Sequence, residues 1–202
     1  LPEDFEGLLS EYEYIEGESG AVTFEFEEFV TTSLKYFGDY AFANNSNLSG
    51  NLVIPDTTTS WGEYAFLNMS SLDGFLMLGS GVNSIPEGIF KNCSGLNCYD
   101  GLFKIPDNVS LIGAEAFYNC SSLDCVLRLK PGVTVLTDAF FGTNFNGLLV
   151  PSGTIAILDG DYDTFQNTEL RLIFEQPDSA FRTLGDLAFD NYRLTGNLLL
   201  PE

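Results

Sequence analysis

Residues 105–123, IPDNVSLIGAEAFYNCSSL, are the clearest copy of a unit that recurs along nearly the whole chain. The unit runs from an apolar strand end through Pro, an acidic or Asn residue, Val, two residues, Ile-Gly and two more residues to Ala-Phe. Asn-Cys-Ser-Ser-Leu closes it. The Phe of the Ala-Phe pair sets the phase, at Phe42, Phe66, Phe90, Phe117, Phe140, Phe165 and Phe189, with spacings of 24, 24, 27, 23, 25 and 24. A Leu follows five or six residues later in most copies: Leu48, Leu72, Leu96, Leu123, Leu170 and Leu194. Then come short apolar runs at 52–54, 76–78, 127–129, 148–150 and 198–200, often stopped by Pro (Pro55, Pro106, Pro151, Pro201). Runs this short are strand-length, too short for helices.

One such unit cannot bury its own apolar face, whereas stacked units can, with equivalent residues one above another. The spacing therefore predicts a repeat solenoid of α/β type, β-rich, with one short parallel strand per repeat of about 24 residues and about seven repeats over 32–202. The Phe column fills the coil, and Gly62, Gly113 and Gly185 turn the backbone after the Ile position. Trp61 takes the Ile position in the second copy and should swell that coil. Three extra residues around Tyr99–Gly101 fall in the loop before the third strand. Residues 1–31 do not fit the unit: they carry ten acidic residues and no Lys or Arg. They read as an N-terminal cap on the first coil, or alternatively as a binding tail.

Pieces such as IPDNVSLIGAEAFYNCSSL, IPEGIFKNCSGL and SNLSGNLVIP resemble the BspA-like leucine-rich repeats of bacterial surface proteins, over roughly residues 32–202. The resemblance implies a right-handed leucine-rich-repeat superhelix with strands on its concave side, and a secreted or cell-surface protein. Adhesion is known for some members and transfers weakly. The fifth and sixth copies depart from the pattern, lacking Asn-Cys, and the sixth carries an insertion at 159–163.

The chain of 202 residues has 29 acidic and 8 basic residues, no His, and a net charge of −21. That balance disfavours nucleic acid and anionic membranes as partners. It fits plain solubility, or a cationic partner or divalent ion. No apolar run is long enough for a transmembrane helix, so no membrane insertion is expected. Nothing reads as a signal peptide, and the abrupt ends suggest a mature or trimmed piece. The lack of His removes His-based triads and His metal ligands. No acidic residue sits at an unexplained core position, so neither an enzyme nor a cofactor is expected. Asp159, Asp161 and Asp163 resemble the start of a calcium loop, but Thr164 and Leu170 fail the later positions, which favours a solvated turn.

The four cysteines fall on equivalent rungs of adjacent coils. Cys93 and Cys120 lie three residues after the phase Phe and read as small core residues. Cys98 and Cys125 lie eight after it, where earlier copies have Gly50 and Gly74, and suggest a cross-coil disulfide, with two free buried thiols as the other reading. Six Asn (Asn44, Asn47, Asn68, Asn92, Asn108, Asn119) sit in glycosylation-type sequons. Their in-phase recurrence favours buried Asn ladders that satisfy turn backbone groups.

Alternation along each strand puts Val53, Met77, Arg128, Leu149 and Leu199 outward if Leu52 and Ile54 face in. Phe75 and Val126 flank this strip, and Phe103 joins it in the irregular third copy. The expected function is a non-enzymatic extracellular binding module that takes a protein or glycan partner on this concave strip. The alternative is a structural spacer within a larger surface protein.

Overall fold

The computed structural model describes residues 35–130 and 132–150, and beyond them the strands Ala156–Ile157, Arg171–Phe174 and Thr183–Leu184. The cap expected at 1–31, the ring positions Phe165 and Phe189, and the run at 198–200 lie outside these residues. The described coils form a parallel-strand solenoid. Five rings of the Phe column stack face to face: Phe42, Phe66, Phe90, Phe117 and Phe140, with successive centroids 5.2, 5.5, 5.4 and 5.2 Å apart. That step is close to one inter-strand spacing, so each turn of the coil advances by one strand.

The sequence-expected strand of each repeat belongs to the first sheet face: β2 (Leu52–Val53), β4 (Leu76–Met77), β6 (Leu102–Lys104), β8 (Val126–Arg128), β10 (Gly147–Val150) and β12 (Arg171–Phe174). β6, β8, β10 and β12 pair continuously in parallel, as do β2 and β4. Each coil also has a second, two-residue strand at the Ile-Gly position: β1 (Tyr36–Phe37), β3 (Ser60–Trp61), β5 (Ser84–Ile85), β7 (Leu111–Ile112), β9 (Thr134–Val135), β11 (Ala156–Ile157) and β13 (Thr183–Leu184). No helix occurs among the described residues. Trp61 at the Ile position has a definite effect. β3 does not pair with β5, and instead the Trp61 indole N–H donates to the Ser84 carbonyl at 2.6 Å.

The Ala-Phe turns form a third ladder without being strands. In the coils of Phe42, Phe66, Phe90 and Phe117 the amides two before the Phe, at the Phe, and two after it donate to the next coil, as Tyr64 to Glu87, Phe66 to Ile89 and Asn68 to Lys91, at 2.8–3.0 Å. The outer two of these positions have left-handed backbone in every described coil, at Tyr40, Tyr64, Gly88, Glu115 and Asp138 and again at Asn44, Asn68, Asn92, Asn119 and Gly142. Asn tolerates that conformation better than most residues. Its side chains also link the coils: Asn68 donates to Asn44, Asn92 to Asn68 and Asn119 to Asn92. The ladder expected from the sequons therefore exists for these four, but it runs along the surface and is not buried. Asn108 instead donates to the Ser80 and Val82 carbonyls.

The core lies between these three ladders. Leu48, Leu72, Leu96 and Leu123 form a buried column, as do Leu52, Leu76, Leu127 and Leu148. The fifth copy lacks the Leu; Phe145 is buried there, edge-on to Phe140 and stacked with Phe103.

Candidate functional site

The register of the first sheet fixes which side chains face outward. Val53 pairs with Met77, and Lys104, Arg128, Leu149 and Ile173 lie in one row across β6, β8, β10 and β12. Of the residues expected on this strip, Met77 is 42% exposed, while Val53, Phe75, Val126 and Leu149 are half-buried. Leu199 lies outside the described residues, as do Asp159, Asp161 and Asp163.

Phe103 is a correction. It is 1% exposed and points into the core, edge-on to Phe117. Its register partner is Leu127, so the outward residues of the third copy are Leu102 and Lys104. A one-residue slip moves every side chain of a strand to the other face, and the irregular insertion obscured the phase there. Aligning Ile105-Pro106 on Ile54-Pro55 would have placed Lys104 at the Val53 position and Phe103 at the Leu52 position. Lys104 was missed for lack of that alignment, and Ile173 because the run at 171–174 is followed by Glu175 and not by Pro. Arg128 is also only 8% exposed, because its guanidinium pairs with the Asp107 carboxylate at 2.5 Å. The same Asp107 offers its backbone carbonyl to the Lys130 ammonium.

The three extra residues build a small hairpin. Tyr99 and Leu102 form an antiparallel bridge, and Asp100 and Gly101 between them have φ of +49° and +73°. Two left-handed residues in a two-residue loop are what a type I′ turn needs, and Asp-Gly is suited to it. The Tyr99 ring packs edge-on against Phe75 at 4.9 Å and stays 54% exposed. A disulfide joins Cys98, at the base of the hairpin, to Cys125, just before β8, with Cα atoms 6.4 Å apart. The hairpin thus stands on a covalent tie to the next coil.

Between this hairpin and β4 lies an open groove of about 870 Å³. Met77, Leu78, Tyr99 and Leu102 give it an apolar lining, Lys104 a cation, and Asp56, Asp100 and Asp107 an acidic rim. Lys104 is exposed and has no ion pair among the described residues. Asp56 is held below the ordinary carboxylate range because the Ser80 backbone N–H donates to it at 2.6 Å and the Ser80 hydroxyl at 2.9 Å. It is thus a fixed negative charge.

The other two cysteines are free and buried. The Cys93 thiol donates to the Phe66 carbonyl and the Cys120 thiol to that of Phe90. Burial pushes the Cys93 thiol up to about 12 and raises Cys120 as well, so both stay protonated and inert at neutral pH. Among the described residues no three His, Cys, Asp or Glu side chains gather as a metal-ligand set.

A family model described as "BspA type Leucine rich repeat region" matches the chain in six copies, over residues 22–126 and 97–201. No curated protein matches it. Among solved structures, a leucine-rich repeat protein of T. pallidum is 22% identical, with a TM-score of 0.54, over 80% of this chain and 72% of that one. A leucine-rich cell surface protein from Faecalibacterium prausnitzii is 17% identical, with a TM-score of 0.44, over 83% of this chain and 35% of that one. The T. pallidum protein shares the solenoid fold.

Proposed function

The chain belongs to the BspA-type leucine-rich repeat family, and we propose that it is a non-enzymatic extracellular module that binds a protein or glycan partner along its strand face. A stack of coils suits a repeat-based interaction or scaffold module, because equivalent residues of successive coils line up in outward rows. The observation that carries the binding reading is the open groove beside Met77, where exposed apolar side chains meet a lone cation and an acidic rim. Exposed apolar surface of this kind marks contact sites more often than it serves solubility. The Cys98–Cys125 disulfide supports an oxidising, extracellular setting, since such bonds are rare in reducing compartments.

The test is capture of host cells or matrix proteins by the parent chain and by the double variant Met77→Glu/Leu149→Glu. Both positions face outward, so the variant should keep its unfolding midpoint and lose most of the capture. Equal capture by parent and variant would remove the strand face as the site. A spacer role would then lead, and the covering of Arg128 by Asp107, which interrupts the strip, already favours it as the second reading.

A further inference from the structure

We propose that the groove beside the Tyr99 hairpin is a subsite for a neutral oligosaccharide, with one pyranose ring stacked on Tyr99 and its hydroxyls bonded to the polar groups around it. This rests on the strand-face reading above and narrows it to one place and one class of ligand. Tyr99 supplies the platform. Its ring is 54% exposed, yet its place is set in three ways. The Asp100-Gly101 turn and the Tyr99–Leu102 bridge fix its backbone, the Phe75 ring meets it at 4.9 Å, and the disulfide at Cys98 ties the residue before it to the next coil. A ring held this way loses little freedom when a ligand covers it. A pyranose with equatorial hydroxyls presents C–H bonds on its faces, and their partly positive hydrogens suit the negative face of an aromatic ring.

Four polar groups of the same groove have bonding capacity left. The Ser80 amide and hydroxyl both donate to Asp56 Oδ1, which leaves Asp56 Oδ2 to accept. Asn108 uses its Nδ2 on the Ser80 and Val82 carbonyls, which fixes the side chain and leaves its Oδ1 to accept. The Asp100 carboxylate and the Lys104 ammonium have no partner among the described residues. The groove thus offers three acceptors and one donor beside an aromatic face. A sugar hydroxyl both donates and accepts, so one kind of ligand group serves all four. The volume of about 870 Å³ is in the range that takes a ligand larger than a single sugar ring.

Charge selects among the occupants. A chain with a net charge of −21 repels acidic glycans. Lys104, in the lining, repels the basic side chains that the rest of the chain would draw. The Phe75–Asn97 bridge joins the two coils beside β4, so the ligand lies on the face and not between the strands. A neutral polyhydroxy ligand meets no such cost.

The test titrates the whole disulfide-bonded protein with cellotriose, read by backbone amide chemical shifts. Saturable shifts should fall on Tyr99, Asp100 and Lys104, with a dissociation constant of about 0.1–10 mM. Tyr99→Ala should weaken binding about tenfold or more, and Tyr99→Phe less than about threefold, because the ring and not its hydroxyl makes the stack. Raising the salt from about 50 to about 500 mM should change the affinity less than about twofold, since no charge is neutralised. No saturable shift at Tyr99 up to about 50 mM probe, or equal affinity of the parent and Tyr99→Ala, overturns the sugar subsite. So does a short peptide of alternating Val and Lys that saturates the same amides with a steep salt dependence, which would give the groove to a basic polypeptide. The Met77/Leu149 capture assay reads the whole strip, so loss of capture there beside a silent cellotriose titration keeps the strand face and strikes only the sugar.

Discussion

Phe117 is fully buried and lies flat between two neighbours, 5.4 Å from Phe90 and 5.2 Å from Phe140, so truncating it opens a cavity that neither ring can fill. Phe117→Ala should cost about 3–5 kcal/mol in urea unfolding. A loss below about 1 kcal/mol would mean that the column does not hold the coils together. The buried thiols make a second prediction, in pH. Burial keeps the proton on Cys93 in the folded chain up to about 12, against an ordinary 9.0, and raises Cys120 in the same direction. The unfolded chain ionises first as pH rises, so stability present below about 9 is lost between there and about 12. The urea midpoint of the parent should fall more steeply from neutral pH to pH ~10 than that of the Cys93→Ala/Cys120→Ala variant. Parallel pH curves would contradict it. The Phe column was legible because a fixed spacing needs no knowledge of the turn between. The left-handed backbone at Tyr40, Tyr64 and Glu115 was not, since none of these residue types favours it.

At the scale of the element, the Asn ladder and the hairpin each make a separable claim. Asn92 donates to Asn68, accepts from Asn119, and has φ of +62°. Asn92→Ala loses both bonds and puts a Cβ-bearing residue with no local hydrogen bond in left-handed backbone, at about 1–2 kcal/mol for the backbone part alone. Asn92→Gly keeps the backbone comfortable and loses only the bonds, so it should unfold at a higher urea concentration than Asn92→Ala. The reverse order would mean that the left-handed backbone at this position does not set the cost. The Cys98–Cys125 bond closes a separation of 27 residues, which contributes roughly 3–4 kcal/mol in the chain-entropy account. Peptide mapping without reductant should yield one linked peptide and two thiols, at Cys93 and Cys120, that alkylate only after unfolding. Four alkylatable thiols would reject the bond. Strand positions were readable where an apolar run marked them without a preceding insertion, at 52–54, 76–78, 127–129 and 148–150. They failed at Phe103, where an Asp-Gly turn was absorbed into the strand approach and shifted the phase by one residue. The second strand of each coil was hidden for a different reason: two residues are too few to show a period.

Over the whole molecule, the same architecture that makes the fold easy to read makes the function hard to read. Stacking equivalent residues spends the sequence signal on the core, and what distinguishes this chain from others of its kind lies in departures from the unit. The three residues at Tyr99–Gly101 build the hairpin between β4 and β6, and Lys104 and Arg128 place two of only 8 basic residues in one outward row of a chain with a net charge of −21. The spacing alone could count the insertion but could not show that it leaves β4 and β6 unpaired. The central claim is that the strand face is where a partner sits. Hydroxyl-radical footprinting of the chain alone and on captured cells or matrix protein tests it directly. Met77, Tyr99 and Leu149 should lose reactivity on capture, while Tyr36, Leu136 and Phe141, exposed elsewhere on the coils, should keep theirs. Protection of Tyr36, Leu136 and Phe141 with Met77 and Tyr99 still fully reactive would contradict it.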